Sequence, residues 1–398
     1  MALSSAPLVP GSHFLAASFG DGPQPPRRRY RTRLVLTTAG ILLIGIACGG
    51  TQLTANLVFD DALASFQTSA RDTDRQRTAV ADLVAGLDSA VAIGTTVSAA
   101  DGGSLMDAAD RDALHASTAS ARESVTDATA LLGTPLPRAD EKPTWAWELF
   151  GEAGELEADR QTIAQLDADL SLAREDADAA RETLRTAGSA ALDGAAEAAS
   201  GFEAAHVSAR NPDIVALRAA AAALSTTAQA WDESAASSYA DLEEAATAML
   251  ASEQAELAEK KGTLSDARVE IEAFARELAA GVLLDFDWSP VVNGYGYSDS
   301  MGGYATWWYG DPGYATIELS NSVAELWPDD RSRSLVAHEV GHAISVKCEG
   351  MYDDSDQVSI EAWATAWAIS MGYTSDANGT SAYGTPPQEL IDAASGCR

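Results

Sequence analysis

Along this chain the pattern of apolar and polar positions changes three times, and each change predicts a different element. Residues 34–59 carry no charged side chain, and their first part, LVLTTAGILLIGIAC, is almost continuously apolar. A run of about 20 such residues is long enough to cross a hydrocarbon core as a helix. From about residue 52 to 280 the sequence turns to Ala, Leu, Glu, Asp and Arg at helical spacing, residues that favour helix or sit well on its surface. Breaks at Asp101-Gly102-Gly103, at residues 133–143 and at Asn211-Pro212 divide this region into separate helices.

Two of these segments repeat every seven residues. Leu156, Ile163, Leu170, Ala177 and Leu184 form one seam, with Leu166, Ala173, Ala180 and Ala187 in the companion position, and Leu250, Leu257, Leu264, Ile271 and Leu278 form a second. A repeat near 3.5 residues keeps an apolar stripe turned towards a partner helix. Asn211-Pro212-Asp213 reads as a helix start, with Asn as the cap and Pro in the first turn. Adjacent segments joined by a short break favour an antiparallel hairpin within the chain, although the same seams also fit self-association of two chains through these helices.

Near Gly281 the composition shifts to Gly, Tyr, Trp, Val and Ser, which marks a domain boundary. Residues 304–309 and 314–319 alternate aromatic or β-branched side chains around Gly310-Asp311-Pro312-Gly313, predicting a β-hairpin. Pro328-Asp329-Asp330 then starts a helix bearing Leu335, Val336, Val340 and Ile344, and a further helix is expected over residues 358–371. The expected fold class is mainly α: an N-terminal transmembrane helix, a long coiled-coil-like helical region and a small α+β C-terminal domain. The expected boundaries are 1–33 for a disordered cytoplasmic tail, 34–55 for the anchor, 56–280 for the helical region and 281–398 for the last domain.

Charge narrows the partners. The formal net charge of -33 repels nucleic acid, which is excluded as a partner. Arg27, Arg28, Arg29, Arg31 and Arg33 directly precede the apolar run and hold the N-terminus on the cytoplasmic side, so the rest of the chain is expected outside a membrane crossed once. A signal peptide cleaved or lipidated near Cys48 is the competing reading, although Gly45 stands where a lipobox usually has Leu. Either reading exports the remainder, and an oxidising compartment favours a Cys348 to Cys397 disulfide over two separate thiols. His115 and His206 have no other ligand-type residues at helical spacing and read as ordinary surface or packed histidines.

On the helix after residue 328 stands His338-Glu339-Val340-Gly341-His342, an HExxH motif. The i, i+4 spacing brings two imidazoles to one helical face, where both can bind one zinc ion. Glu339 follows the first histidine directly and can take a proton from metal-activated water. Here the chain resembles the zincin metallopeptidases, over roughly its last 115 residues. It departs from the metzincin pattern HExxHxxGxxH, reading His342-Ala343-Ile344-Ser345-Val346-Lys347-Cys348 instead. In gluzincins the third ligand is a Glu on the next helix, and Glu361 lies where that ligand would be; Asp353, Asp354 and Asp356 are the runners-up, and also read as helix caps. Many gluzincins place an Asp one turn later to orient a histidine ligand, but this chain has Thr365.

The resemblance implies a Zn2+ cofactor held by His338, His342 and Glu361, a protein or peptide substrate, and peptide-bond hydrolysis by zinc-activated water with Glu339 as general base. It also implies an edge strand that accepts the substrate, for which residues 314–319 are expected, and an oxyanion stabiliser for which Tyr352, Tyr373 and Tyr383 are the candidates. Two other classes stand beside it. One is a helical binding or sensing protein with a degenerate zincin domain, against which the intact Glu339 argues. The other is a zinc hydrolase acting on a cell-wall amide.

Overall fold

The computed structural model describes residues 31–298, 300–310 and 313–398, with side chains described from Gly49 onward. Residues 1–30 of the expected tail, with Arg27, Arg28 and Arg29, lie outside the described residues, as do Asp311 and Pro312 of the expected turn, whereas residues 31–33, expected to be disordered, begin α1. The chain is mainly helical, as its helical spacing of apolar positions predicts. Its elements are α1 (Arg31–Ala100), α2 (Ala108–Leu132), α3 (Ala146–Ala205), α4 (Asn211–Thr227), α5 (Glu233–Glu259), α6 (Ser265–Leu278), β1 (Leu283–Ser289), β2 (Gly303–Trp308), β3 (Tyr314–Ser320), α7 (Asn321–Glu325), α8 (Asp330–Ala343), α9 (Gln357–Ser370), α10 (Thr380–Tyr383) and α11 (Gln388–Ala394).

The chain divides into two compact units: Met1–Asp72 with Leu136–Ala164, and Thr73–Pro135 with Gln165–Arg398. In the first unit Ala55, Phe59 and Phe66 of α1 bury against Leu149, Leu156 and Ile163 of α3. The partner of the predicted α3 seam is therefore α1 in this unit, not the later helix. In the second unit α1 and α3 run parallel, with Thr73 Oγ1 donating to Asp167 Oδ1 (3.4 Å) and Gln76 Nε2 to Ser171 Oγ (2.6 Å). The α3 seam stays buried there through Leu170, Ala177 and Leu184.

The second predicted seam is not continuous. α5 ends at Glu259, Gly262 takes a φ of +141°, and α6 starts afresh at Ser265, leaving Leu257 41% exposed. The stripe that α5 does bury is Tyr239, Leu242, Ala246 and Met249, in one cluster with Ile214, Leu217 and Leu224 of α4. Asn211 also differs from expectation. The cap of α4 is Arg210 without a side-chain bond, and Asn211 is fully buried with another task. Its N–H donates to Asp285 Oδ1 (2.8 Å) and its Nδ2 to the Ala315 carbonyl (2.9 Å), which ties the start of α4 to the sheet.

That sheet has the order β1-β3-β2. The predicted hairpin is present, with β2 antiparallel to β3 from Gly303↔Leu319 to Trp308↔Tyr314, and β1, which sequence analysis did not anticipate, adds parallel to β3. β3 is thus the central strand with both edges paired, so the expectation that residues 314–319 accept a substrate strand is corrected: the edge beside the site belongs to β2. The core under the sheet joins Phe286, Ile317 and Leu319 to Val336, Val340, Trp363 and Trp367, and takes in Ile271 and Ala275 of α6, upstream of the composition change at Gly281.

Within α1, Gly49–Ala100 is long and apolar enough to cross a membrane, with a best window of mean hydropathy 1.5. Val80, Val84, Leu87, Val91 and Val97 in its second half are buried inside the protein, where packing already accounts for their apolar character.

Candidate metal centre

Helix α8 begins where Asp329, as cap, accepts hydrogen bonds from the N–H groups of Arg331 (2.8 Å) and Ser332 (2.9 Å). From Ser334 to Ser345 every residue is buried, so the motif is carried by a helix enclosed on all sides. Helix α9 crosses it closely at Gly341, where a Cβ would stand 2.7 Å from the Ala364 carbonyl oxygen. Only a residue without a side chain allows that approach, and the approach delivers Glu361 to the two histidines. On α9 the division of faces is by i, i+4 pairs: Trp363 and Trp367 enter the core, while Glu361 and Thr365 turn to α8.

Three ligand atoms converge. His338 Nε2 lies 3.2 Å from Glu361 Oε2 and 3.2 Å from His342 Nε2, and His342 Nε2 lies 3.3 Å from Glu361 Oε2. Zinc bonds of about 2.0–2.1 Å arranged tetrahedrally separate neighbouring ligand atoms by about 3.3 Å, so this triangle has the size of one face of a zinc site. All three groups are on the motif positions that sequence analysis selected. The runners-up are occupied elsewhere: Asp353 accepts from Ser355 N–H, Asp356 caps α9 through Ser359 N–H, and Asp354 faces the Tyr309 hydroxyl.

The histidines are not equally supported. A carbonyl can only accept, so the 2.9 Å contact from His338 Nδ1 to the Asn378 carbonyl fixes the proton on Nδ1 and leaves Nε2 free as a ligand. Asn378 thereby takes the orienting role expected of the residue that is Thr365 here. The Thr365 hydroxyl instead donates to the Glu361 carbonyl (2.8 Å) and stands 3.4 Å from His338 Nδ1. His342 Nδ1 is buried without a hydrogen-bond partner among the described residues, and the Trp307 ring stacks on that imidazole at 5.7 Å and 8°. Gln357 Nε2 donates to Glu361 Oε1 (2.8 Å), holding the carboxylate from its other side.

Burial pushes the His338 imidazole down, but the hydrogen bond to Glu361 and nearby carboxylates outweigh it and the net shift is upward. His342 is driven down, mainly by burial. Burial would raise Glu361, yet its bonds to both histidines carry it well below the usual carboxylate range. Glu339, 5% exposed and without such bonds, is pushed by burial up to about 7. Gly303 of β2 lies so close to the Glu339 carboxylate that any Cβ there would collide with it.

Among the tyrosine candidates only Tyr383 reaches the site. It stacks on His338 at 5.9 Å, faces Glu361, and is pushed up to about 12, mainly by burial. Tyr352 stacks on Trp363 and Tyr373 packs edge-on against Phe274, both away from the triangle. The cavity bounded by Gly303, Trp307, Glu339, Glu361 and Tyr383 is about 110 Å³. Cys348 and Cys397 are joined, with Cα atoms 6.0 Å apart. His206 is bonded to Glu253 (2.7 Å) and His115 is exposed, so both are the ordinary histidines expected.

Sequence reasoning missed Asn378, Trp307, Gln357 and Gly303. A backbone carbonyl leaves no mark in sequence, so Asn378 had no signal. Trp307 lay in a predicted strand whose edge position was misassigned, and Gly303 stood just before the predicted start of that strand at residue 304. No protein-family model, curated protein or solved structure matches this chain.

Proposed function

We infer that this chain is a membrane-anchored, extracytoplasmic zinc metallopeptidase whose site resembles that of the gluzincins. The observation that carries this reading is the triangle of His338 Nε2, His342 Nε2 and Glu361 Oε2, each pair 3.2–3.3 Å apart, with a buried Glu339 beside it. A bound zinc ion supplies Lewis-acid polarisation and makes water acidic enough to react near neutrality.

The remaining work falls to the chain's own groups. Glu339, with its proton affinity raised to about 7, takes a proton from water and gives it to the leaving amine. Asn378 keeps His338 in its ligand tautomer. Tyr383 offers a phenol O–H to the oxygen that gains charge. A cavity of about 110 Å³ is far below the ~300 Å³ or more of a small-molecule pocket, which favours an extended chain laid across the surface. The outer edge of β2 is the template for that chain by strand addition. Helical conformation through residues 34–59, the preceding arginines and the Cys348–Cys397 disulfide support an anchored, exported protein.

The test uses the purified full chain, its zinc content and its cleavage of a denatured protein mixture. Glu339→Gln is expected to keep the metal and lose about 10²–10⁴-fold in rate, whereas His342→Ala is expected to lose the metal as well. Equal cleavage by Glu339→Gln, or a zinc-loaded native chain that cleaves nothing while releasing amide products from cell-wall material, overturns the peptidase reading.

A further inference from the structure

The first unit exposes more apolar surface than its packing needs. Trp147 is 68% and Trp145 56% exposed, and their rings stack face to face at 5.3 Å and 5°. Phe150 of α3 and Leu53, Leu57 and Val58 of α1 are exposed too. Single exposed apolar residues are ordinary, but two stacked indoles with further exposed apolar side chains in the same unit are not.

Position along α1 gives this cluster its meaning. Gln52 Nε2 donates to the Thr144 carbonyl (3.0 Å), and Lys142 pairs with Asp60 (2.7 Å), so the segment entering α3 lies beside residues 52–60 of α1. The uncharged run starts at Leu34. At about 1.5 Å per residue, a helix from there covers about 30 Å, the thickness of a hydrocarbon core, by about residue 53. The indoles therefore sit at the level where that run would leave the hydrocarbon. Tryptophan, with an apolar ring and one N–H donor, is the side chain best suited to that boundary. The first acid on α1 after the run is Asp60, and Leu53, Leu57 and Val58 precede it.

We propose that Trp145, Trp147 and Phe150, with Leu53 and Leu57, form an interfacial foot that docks into the outer headgroup layer of the membrane crossed by α1. The foot rests on the reading of residues 34–59 as a membrane span, and is independent of any catalytic activity. It fastens the beginning of α3 to the bilayer and so gives the exported part a second point of attachment. With a net charge of -33 the attraction is to the apolar and dipolar character of the interface rather than to anionic lipid.

The experiment reconstitutes the full chain in phosphatidylcholine vesicles doped with lipid brominated either near the headgroup end or near the methyl end of its acyl chains. Flotation with the vesicles is scored first, then quenching of tryptophan emission, for the native chain and for the double variant Trp145→Phe/Trp147→Phe. The foot predicts that shallow bromine quenches about a fifth of the emission, the share of two tryptophans among 9. It predicts less quenching from deep bromine and almost none in the double variant. A chain that floats but is quenched no more than the double variant overturns the foot and leaves the anchor standing. A chain that does not float overturns both. Absent quenching together with a dimer that dissociates in Trp147→Ala assigns the patch to a second copy instead.

Discussion

Within the second unit two cores are built on opposite rules. The helical core packs Ala121, Ala177, Ala191, Ala195, Ala199, Ala228, Ala235 and Ala246 among scattered leucines, with Trp231 and Tyr239 as its buried rings. The core under the candidate metal centre is built on Phe286, Trp363 and Trp367. Six of the chain's 9 tryptophans, Trp288, Trp307, Trp308, Trp327, Trp363 and Trp367, lie in this last part. Alanines let helices approach closely but specify their register weakly, whereas large rings have few rotamers and fix the elements that touch them. The site stands on the rigid side of that division, and the lesson is that precision has been concentrated where Glu361 must meet two histidines.

Truncation should hurt the aromatic core most. Trp367 is fully buried and donates from Nε1 to the Cys397 carbonyl (2.9 Å), so Trp367→Ala is expected to cost about 3–5 kcal/mol by denaturant titration. An equal loss from an alanine-core change would erase the contrast. The seam between the cores should answer to pH. Burial pushes Asp285 up to about 6 from 3.8, so the folded state holds its proton more tightly than the unfolded state. This group's contribution is fullest below about pH 4 and is lost as pH rises to about 6, by about 2–3 kcal/mol. Asp285→Asn keeps an acceptor for the Asn211 N–H and should flatten that part of the stability profile; an unchanged slope would refute the assignment.

In the alanine core the damaging change is enlargement. Ala246 is 1% exposed, and Ala246→Leu is expected to cost about 1–3 kcal/mol in thermal unfolding, with metal content unchanged. A stabilised Ala246→Leu would mean that the helical core is loosely filled. The smallest effect is expected at the cap of the site helix, where Asp329→Ala should cost about 1 kcal/mol, and Asp329→Ser should restore most of it.

The two cores were also unequally legible in sequence. Around the site, cap, motif and following helix were readable because each rests on local spacing: Asp329, the His338 and His342 pair, and Glu361 one helix later. The predicted hairpin was readable for the same reason. Its place in the sheet was not, because β1, although Leu284, Phe286 and Trp288 alternate with Asp285, Asp287 and Ser289, carries two aspartates, a residue depleted in strands, and without β1 the central and edge strands cannot be told apart. In the helical region the α3 seam was real, but α1 carries its own seven-residue series of Phe59, Phe66, Thr73, Val80 and Leu87, all buried, in which Thr73 masks the pattern. Alanine-rich helices offer many registers of similar hydrophobicity, so the sequence of α5 admitted a seam that its folded form does not use. Asn211 was misread because capping and a buried tertiary bond call for the same side chain.

The bond between Cys348 and Cys397 closes a loop between residues 49 positions apart. Glu361, the candidate third ligand, and Asn378, whose carbonyl accepts from His338, both lie inside it. Closing a loop of that length removes about 4 kcal/mol of freedom from the unfolded chain. The completeness of the candidate site is thereby joined to the chemistry of the compartment: where thiols stay reduced the ring is open, and two of its groups are held only by packing and local hydrogen bonds.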